Sequence, residues 1–209
     1  MADKNYYTHL RTDVLAMIPE QAHSFLSVGC GNGRTEEQLV KRGDRVVGIE
    51  IDQQAAAQAR ERGIEILEGD ATKISDSLVG REFDCLIYAD ILEHIADPVA
   101  LMRTHLGSLK PGGCAIISVP NFRNLYVFKQ LFVHGHIRYQ DSGVLDRTHL
   151  RITTRKMVLE WFDEVGLSCD LVDHQIWTRR DRAIVRASFG LLREFYAAQV
   201  LLRGVKPAG

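Results

Sequence analysis

Cysteine is sparse in this 209-residue chain, and the four present, Cys30, Cys85, Cys114 and Cys169, form no CxxC pair and no compact Cys/His cluster. That spacing excludes the usual structural zinc motifs and points to reduced, mostly buried thiols. Long apolar runs are missing too: none approaches the ~18–20 uncharged residues of a membrane span. The N-terminal stretch holds Asp3, Asn5, Tyr6 and Tyr7 where a secretion signal requires apolar residues, so a cytoplasmic protein is expected. Repeats, low-complexity tracts and Gly/Ser linkers are absent, and residues 1–209 are read as a single domain. Neither charge sign is in excess, with 26 Lys+Arg against 27 Asp+Glu. Net basicity, the usual mark of nucleic-acid binding, is therefore lacking, and no nucleic-acid partner is expected. The balance hides an asymmetry: residues 179–209 carry +5 and the first 178 carry -6.

What is present is an alternation of strand and helix signals from residue 24 onward. Apolar runs at 24–29, 45–51, 64–67, 83–89 and 114–119 read as strands, and the intervening stretches 34–42, 53–62 and 98–109 read as helices. Gly43 and Gly63 stop the first two helices, while Asp97-Pro98 caps the third and Lys110 to Gly113 read as a turn. Strands without alternation, separated by helices, predict an α/β, Rossmann-like, doubly wound and mostly parallel sheet. Residues 122–150 are rich in aromatics and histidine, with one short helix near 125–133, and read as a lid or acceptor-binding insertion. A helix over 155–165 and a strand over 167–177 follow. Helix 182–193 and strand 196–205 then complete seven strands, with one antiparallel strand at a hairpin-like edge.

Ligands of such sheets bind beyond the carboxyl ends of strands, and three ends carry suitable chemistry. Gly29-Cys30-Gly31-Asn32-Gly33 offers backbone N–H groups and a helix N-terminus. Arg34 stands where a GxGxxG dinucleotide fingerprint needs glycine, and no GxxxxGK[ST] phosphate loop exists. Glu50 is placed to accept from the hydroxyls of a ribose, with Asp52 the better N-cap for the next helix. Asp70 is placed to accept from an exocyclic amine such as adenine N6, or to cap a turn.

This constellation resembles the class I S-adenosylmethionine-dependent methyltransferases, through FLSVGCGNG (25–33), VVGIEID (46–52), EGDA (68–71), FDCLIYADILEHIADP (83–98) and LKPGGCAIISVPN (109–121). The resemblance implies that Gly29, Gly31 and Gly33 line the methionine portion, Glu50 holds the ribose, Ile51 flanks the adenine, and Asp70 and Ala71 read its edge. Ala89, Asp90 and Ile91 would form the floor beneath the reactive methyl, with Glu93 and His94 close by. One departure stands out: the family usually has an acid two residues before the first glycine, to hold the cofactor's amino group, and this chain has Ser27. A substitute from an N-terminal side chain is one expectation, weaker affinity the other. YYTHLRTDVLAMIP (6–19), YQDSGVLDRTHLRITTRK (139–156) and AAQVLLRGVKP (198–208) are similar to a bacterial subgroup associated with surface-glycan biosynthesis, which implies a sugar, glycan-precursor or other small-molecule acceptor.

Methyl transfer from a sulfonium requires alignment and exclusion of water, and a base only for a protonated acceptor. His149 is the first candidate base, with Asp146 or another acid orienting it, or else part of a polar network anchoring the lid. His94 is the second candidate, weighed against a role in helix capping. Tyr139, Arg147 and Asn121 are the substrate-side candidates, with Arg147 suited to clamping an anion. Tyr6, Tyr7 and Arg11 are read as closing over the cofactor or packing on the sheet edge. His134 and His136 lack a placed third ligand, so no metal is expected. A non-catalytic cofactor-binding partner protein is the alternative reading, and a homodimer is left open. Arg182 to Leu202 also has the composition of an interfacial amphipathic helix, against a role for the tail in the fold itself.

Overall fold

The computed structural model describes residues 10–208. Seven strands form one sheet: β1 (Ser24–Val28), β2 (Arg45–Glu50), β3 (Glu65–Glu68), β4 (Phe83–Ala89), β5 (Leu109–Pro120), β6 (Ser168–Gln175) and β7 (Gln199–Val205). Their spatial order is β3-β2-β1-β4-β5-β7-β6. The first five pair in parallel, and β7 runs antiparallel to both β5 and β6. The antiparallel pairing expected at one edge is thus carried by β7, which inserts between β5 and the outermost β6. The chain winds outward from β1 to β3 and then returns to build β4 and β5 on the other side, so the switch point lies between β1 and β4.

Side-chain alternation divides the core into two layers. Leu26 and Val28 of β1, with Leu86 and Tyr88 of β4, pack with α4 (Pro98–Leu106) and α6 (Arg155–Val165). Phe25, Cys85, Ile87 and Ile116 face α1 (Thr12–Ala16), α2 (Glu36–Arg42) and α3 (Gln53–Glu61). Asp52 and Asp97 accept from the backbone N–H three residues on, at 2.8 and 2.9 Å, which confirms both as N-caps.

Two expectations need correction. Lys110 to Gly113 is not a free turn but the bulged start of β5, held by Lys206 N–H to the Gly113 carbonyl at 2.8 Å and Gly112 N–H to the Lys206 carbonyl at 3.1 Å. The expected helix at 182–193 begins earlier, as α7 (Arg179–Ala187) capped by Thr178, and breaks at Phe189 and Gly190, both with positive φ; α8 (Arg193–Tyr196) follows. The tail is part of the fold, as its expected strand implied, since β7 lies inside the sheet. Between β5 and α6, α5 (Leu125–Phe128) runs on into π-helical turns at Lys129–Val133.

Candidate functional site

The carboxyl ends of β1, β2, β3 and β4 bring the sequence candidates to one crevice. Gly29, Gly31 and Gly33 all take positive φ, at 69°, 55° and 74°, a conformation that side-chain-bearing residues rarely adopt. Gly33 is also crowded: a Cβ there would lie 2.3 Å from Ile64 Cδ1. Buried Glu50 gathers the loop, its Oε2 accepting from Gly31 N–H at 2.8 Å and its Oε1 from Ile51 and Asp52 N–H at 2.9 Å each. Beside it Ile51, a large apolar residue, is 69% exposed at the strand end.

Beyond β3, Asp70 accepts at 3.0 and 2.8 Å from the N–H and hydroxyl of Thr72, which together with Lys73 hold its carboxyl below the ordinary value. Asp70 thus organises its own turn at the strand end. The Ala71 carbonyl is anchored from the core by His105 Nε2 at 3.2 Å, whose Nδ1 meets the Tyr88 hydroxyl at the same distance.

A buried acid from α2 stands beside Ser27. Ser27 faces the α2 layer, and its hydroxyl donates to Glu36 Oε1 at 2.7 Å, both residues buried. Burial raises the Glu36 carboxyl above its ordinary value, against the Ser27 hydrogen bond, and the Glu50 charge pushes the same way. No cation pairs with Glu36 among the described residues. In sequence Glu36 passes for an ordinary first-turn acid of a helix; only the inward facing of Ser27, on the Phe25 side of β1, could have hinted at it.

At the end of β4, Asp90 has a φ of 56° and sits in a dense polar knot. Its Oδ1 accepts from the Ser118 hydroxyl at 3.0 Å and from Gln199 Nε2 at 2.9 Å, and its Oδ2 pairs with Arg11. Burial raises the Asp90 carboxyl, with Arg11, Ser118 and Gln199 working against that rise. Arg11 also donates to Ser118 Oγ at 2.7 Å and to Asp13, while its backbone N–H reaches Thr35 Oγ1 at 3.1 Å. It thereby spans from the N-cap of the helix after the glycine loop to the ends of β4 and β5. Burial disfavours its charge, but Asp13 and Asp90 raise its pKa above the ordinary arginine value. Tyr6 and Tyr7 lie outside the described residues.

Next to this knot, Glu93, His94 and His149 bring ligand-type atoms within 4.8 Å of one another, the one such group among the described residues. His149 Nδ1 faces the Val144 carbonyl at 3.3 Å and must carry the proton, which leaves Nε2 as the basic nitrogen, 3.9 Å from Glu93 Oε1. Burial and the neighbouring His94 lower the His149 pKa. Burial, then the Asp90 charge, raises Glu93 well above the carboxylate range, and its Oε2 has no hydrogen-bond partner. His94 Nδ1 meets the Thr148 carbonyl at 3.2 Å, so it fastens the insertion rather than capping a helix. Two acids stand near His149: Glu93 beside Nε2, and Asp146, whose charge raises the His149 pKa while its Oδ1 accepts from the N–H and hydroxyl of Thr148 at 2.8 and 2.7 Å. The residues placed to hold a cation are this trio, whereas His134 and His136 are exposed.

The substrate-side candidates are not gathered. Arg147 turns outward to Asp141 at 2.7 Å, and Tyr139 is exposed. Asn121 is buried, donating to the Glu194 and Ala197 carbonyls at 2.6 and 3.0 Å and accepting from Arg123 N–H at 3.1 Å, so its amide is committed to joining β5 to α8.

Residues 26–117 match a family model described as a methyltransferase domain. The chain is 31% identical over 182 residues to the ubiquinone biosynthesis O-methyltransferase of Cereibacter sphaeroides, an alignment covering 81% of this chain and 73% of that protein. To the protein of the same name from Parvibaculum lavamentivorans it is 30% identical over 117 residues, 54% of this chain, and it spans about half of that relative, 46%. Among solved structures, an S-adenosylmethionine-dependent methyltransferase from Mesorhizobium loti superposes with a TM-score of 0.66 at 19% identity, covering 93% of this chain and 96% of that one. With the glycine loop and the strand-end acids in place within this sheet order, the chain belongs to the class I S-adenosylmethionine-dependent methyltransferases.

Proposed function

We propose that this methyltransferase acts on a hydroxyl oxygen of a small molecule, with His149 as its base. The observation that carries the reading is the His149 imidazole, pinned through Nδ1 to Val144 so that Nε2 is its basic nitrogen, 3.9 Å from Glu93 Oε1 and within the field of Asp90. Bound S-adenosylmethionine would supply the electrophilic methyl group and leave as its demethylated product, and His149 Nε2 would take the proton of the acceptor hydroxyl. Asp146, whose charge raises the His149 pKa, would then stabilise the imidazolium. Gly29, Gly31 and Gly33 would hold the methionine portion, Glu50 and Ile51 the ribose and adenine, Asp70 and Ala71 the adenine edge, and Ala89 with Asp90 the floor. Glu36 would take over from the acid missing at Ser27 as counter-charge to the cofactor's ammonium group, because a buried carboxylate without a cation is costly until one arrives.

Oxygen is preferred over nitrogen because the relatives aligned above are named O-methyltransferases. Their names carry ubiquinone biosynthesis, not a surface glycan, so the sugar acceptor enters the test as a competitor. The test offers labelled S-adenosylmethionine with catechol-type and sugar hydroxyl acceptors. A methyl ether lost in His149→Ala supports the reading, and an N-methylated product overturns it. A second reading rests on the orphaned Glu93 Oε2: a divalent cation on Glu93, His94 and His149 would itself lower the acceptor's pKa. Under that reading, turnover collapses in chelator and returns with added metal.

A further inference from the structure

The segment between β6 and β7 holds much of the positive charge of residues 179–209. Over 179–196 there are five arginines against Asp181 and Glu194. Arg179, Arg182 and Arg186 recur at helical spacing along one exposed stripe of α7, to one side of buried Val185, and Arg180 is exposed as well. No ion pair joins any of these four among the described residues, although arginines elsewhere, such as Arg11, Arg60, Arg81 and Arg203, are paired.

Apolar side chains stand out around this helix. Trp177 precedes it at 64% exposure, and Phe189 and Leu191 follow at 97% and 82%. Phe189 adopts φ 51° and Gly190 φ 83°. A left-handed conformation is unusual for a bulky residue, and here it turns the ring out of the fold rather than into it. Phe189 and Leu191 also rim an open groove of about 500 Å³ with Arg123, Arg193 and Phe195. Protruding aromatic and aliphatic residues among unpaired arginines are what an anionic bilayer accommodates: the rings enter the headgroup region and the guanidinium groups meet lipid phosphates.

We propose that α7, with Trp177, Phe189 and Leu191, is a docking surface for an anionic lipid membrane. The β6-to-β7 connection lies at the carboxyl end of the sheet, where Gln199 touches Asp90, so docking turns the methyl-transfer end toward the lipid. No helix among the described residues is long and apolar enough to cross a membrane, so the attachment is peripheral.

Co-sedimentation of the full chain with vesicles tests this, comparing phosphatidylcholine alone with phosphatidylcholine containing about 30% phosphatidylglycerol at roughly 0.1 M salt. Binding is expected to the anionic vesicles only. The Phe189→Ser/Leu191→Ser and Arg182→Glu/Arg186→Glu variants should each weaken it about tenfold or more, with affinity for S-adenosylhomocysteine unchanged as proof of folding. No binding at about 1 mM anionic lipid, or equal binding by both variants, overturns the proposal. So does a dimer in sedimentation velocity that Phe189→Ser dissolves in the absence of lipid binding, because the surface would then be a contact between copies.

Discussion

Replacing Glu50 by glutamine probes the cofactor site where structure and ligand compete for the same oxygens. A carboxylate has about four acceptor positions, and three are taken by the N–H groups of Gly31, Ile51 and Asp52. One position remains at full strength for a ribose hydroxyl, so the two hydroxyls are not held equally. Glutamine keeps one oxygen, able to serve Ile51 and Asp52, and presents an N–H group to the Gly31 N–H. A lost hydrogen bond to a charged acceptor is worth about 1.5–3 kcal/mol. Free Glu50→Gln protein should lose about that much stability, and S-adenosylhomocysteine should bind roughly 10–100-fold more weakly. Glu50→Ala orphans all three donors and threatens a large share of a typical stability of about 5–15 kcal/mol, so it is the less informative variant. Calorimetry of both proteins with S-adenosylhomocysteine and its 2′- and 3′-deoxy forms completes the cycle. In wild type one deoxy form should bind much more weakly than the other, and in Glu50→Gln that difference should shrink. Variant affinity within twofold of wild type, or equal losses for the two deoxy forms in wild type, would refute the reasoning.

Glu36→Gln should weaken S-adenosylhomocysteine about tenfold and leave 5′-methylthioadenosine, which lacks the ammonium group, unchanged; equal losses for both ligands would remove the counter-charge role. His149 acts as a base only when unprotonated, and its pKa is lowered by burial and by His94. kcat/KM should therefore be flat near neutrality and fall only as pH drops through a value below about 6.5, while His149→Ala lowers kcat about a hundredfold or more and abolishes that limb. A limb that persists in the variant assigns it to another group. For stability, Gly33→Ala adds a Cβ 2.3 Å from Ile64 Cδ1 and 2.9 Å from Ala59 Cβ, whereas one at Gly43 meets nothing within 4 Å. Both carry about 1–2 kcal/mol of backbone strain, and Gly33→Ala should lose a further 1–3 kcal/mol or so to overpacking in urea unfolding. Equal losses would mean that Ile64 yields freely.

The parts of this protein readable from sequence are those whose cause is local. Glycines at 29, 31 and 33, the caps Asp52 and Asp97, and continuous apolar strands each declare themselves within a few residues. Pairings across the chain do not. Asp146, three residues from His149, is legible as an acid near the ring, whereas Glu93, 56 residues earlier, is not. Asn121 and Arg147 were plausible substrate ligands by type, but the directions of their side chains are set by α8 and by Asp141. Pro111-Gly112-Gly113 reads as a turn because the partner that extends it into β5, the strand ending at Val205, comes more than eighty residues later. The break after α7 was missed because a positive φ at a phenylalanine has no sequence signature.

The placement of β7 bears on how the molecule is made. β6 leaves the ribosome before β7, yet its sole partner in the sheet is β7, and β5 faces the same strand. During synthesis, β5 and β6 both present open hydrogen-bonding edges until Gln199 to Val205 emerge. These are long-range pairings that close late, and they leave a nascent chain exposed to aggregation. A chain truncated before residue 199 is thus not a shorter methyltransferase but a sheet with two unsealed edges, and its dependence on chaperones during synthesis should exceed that of the finished protein.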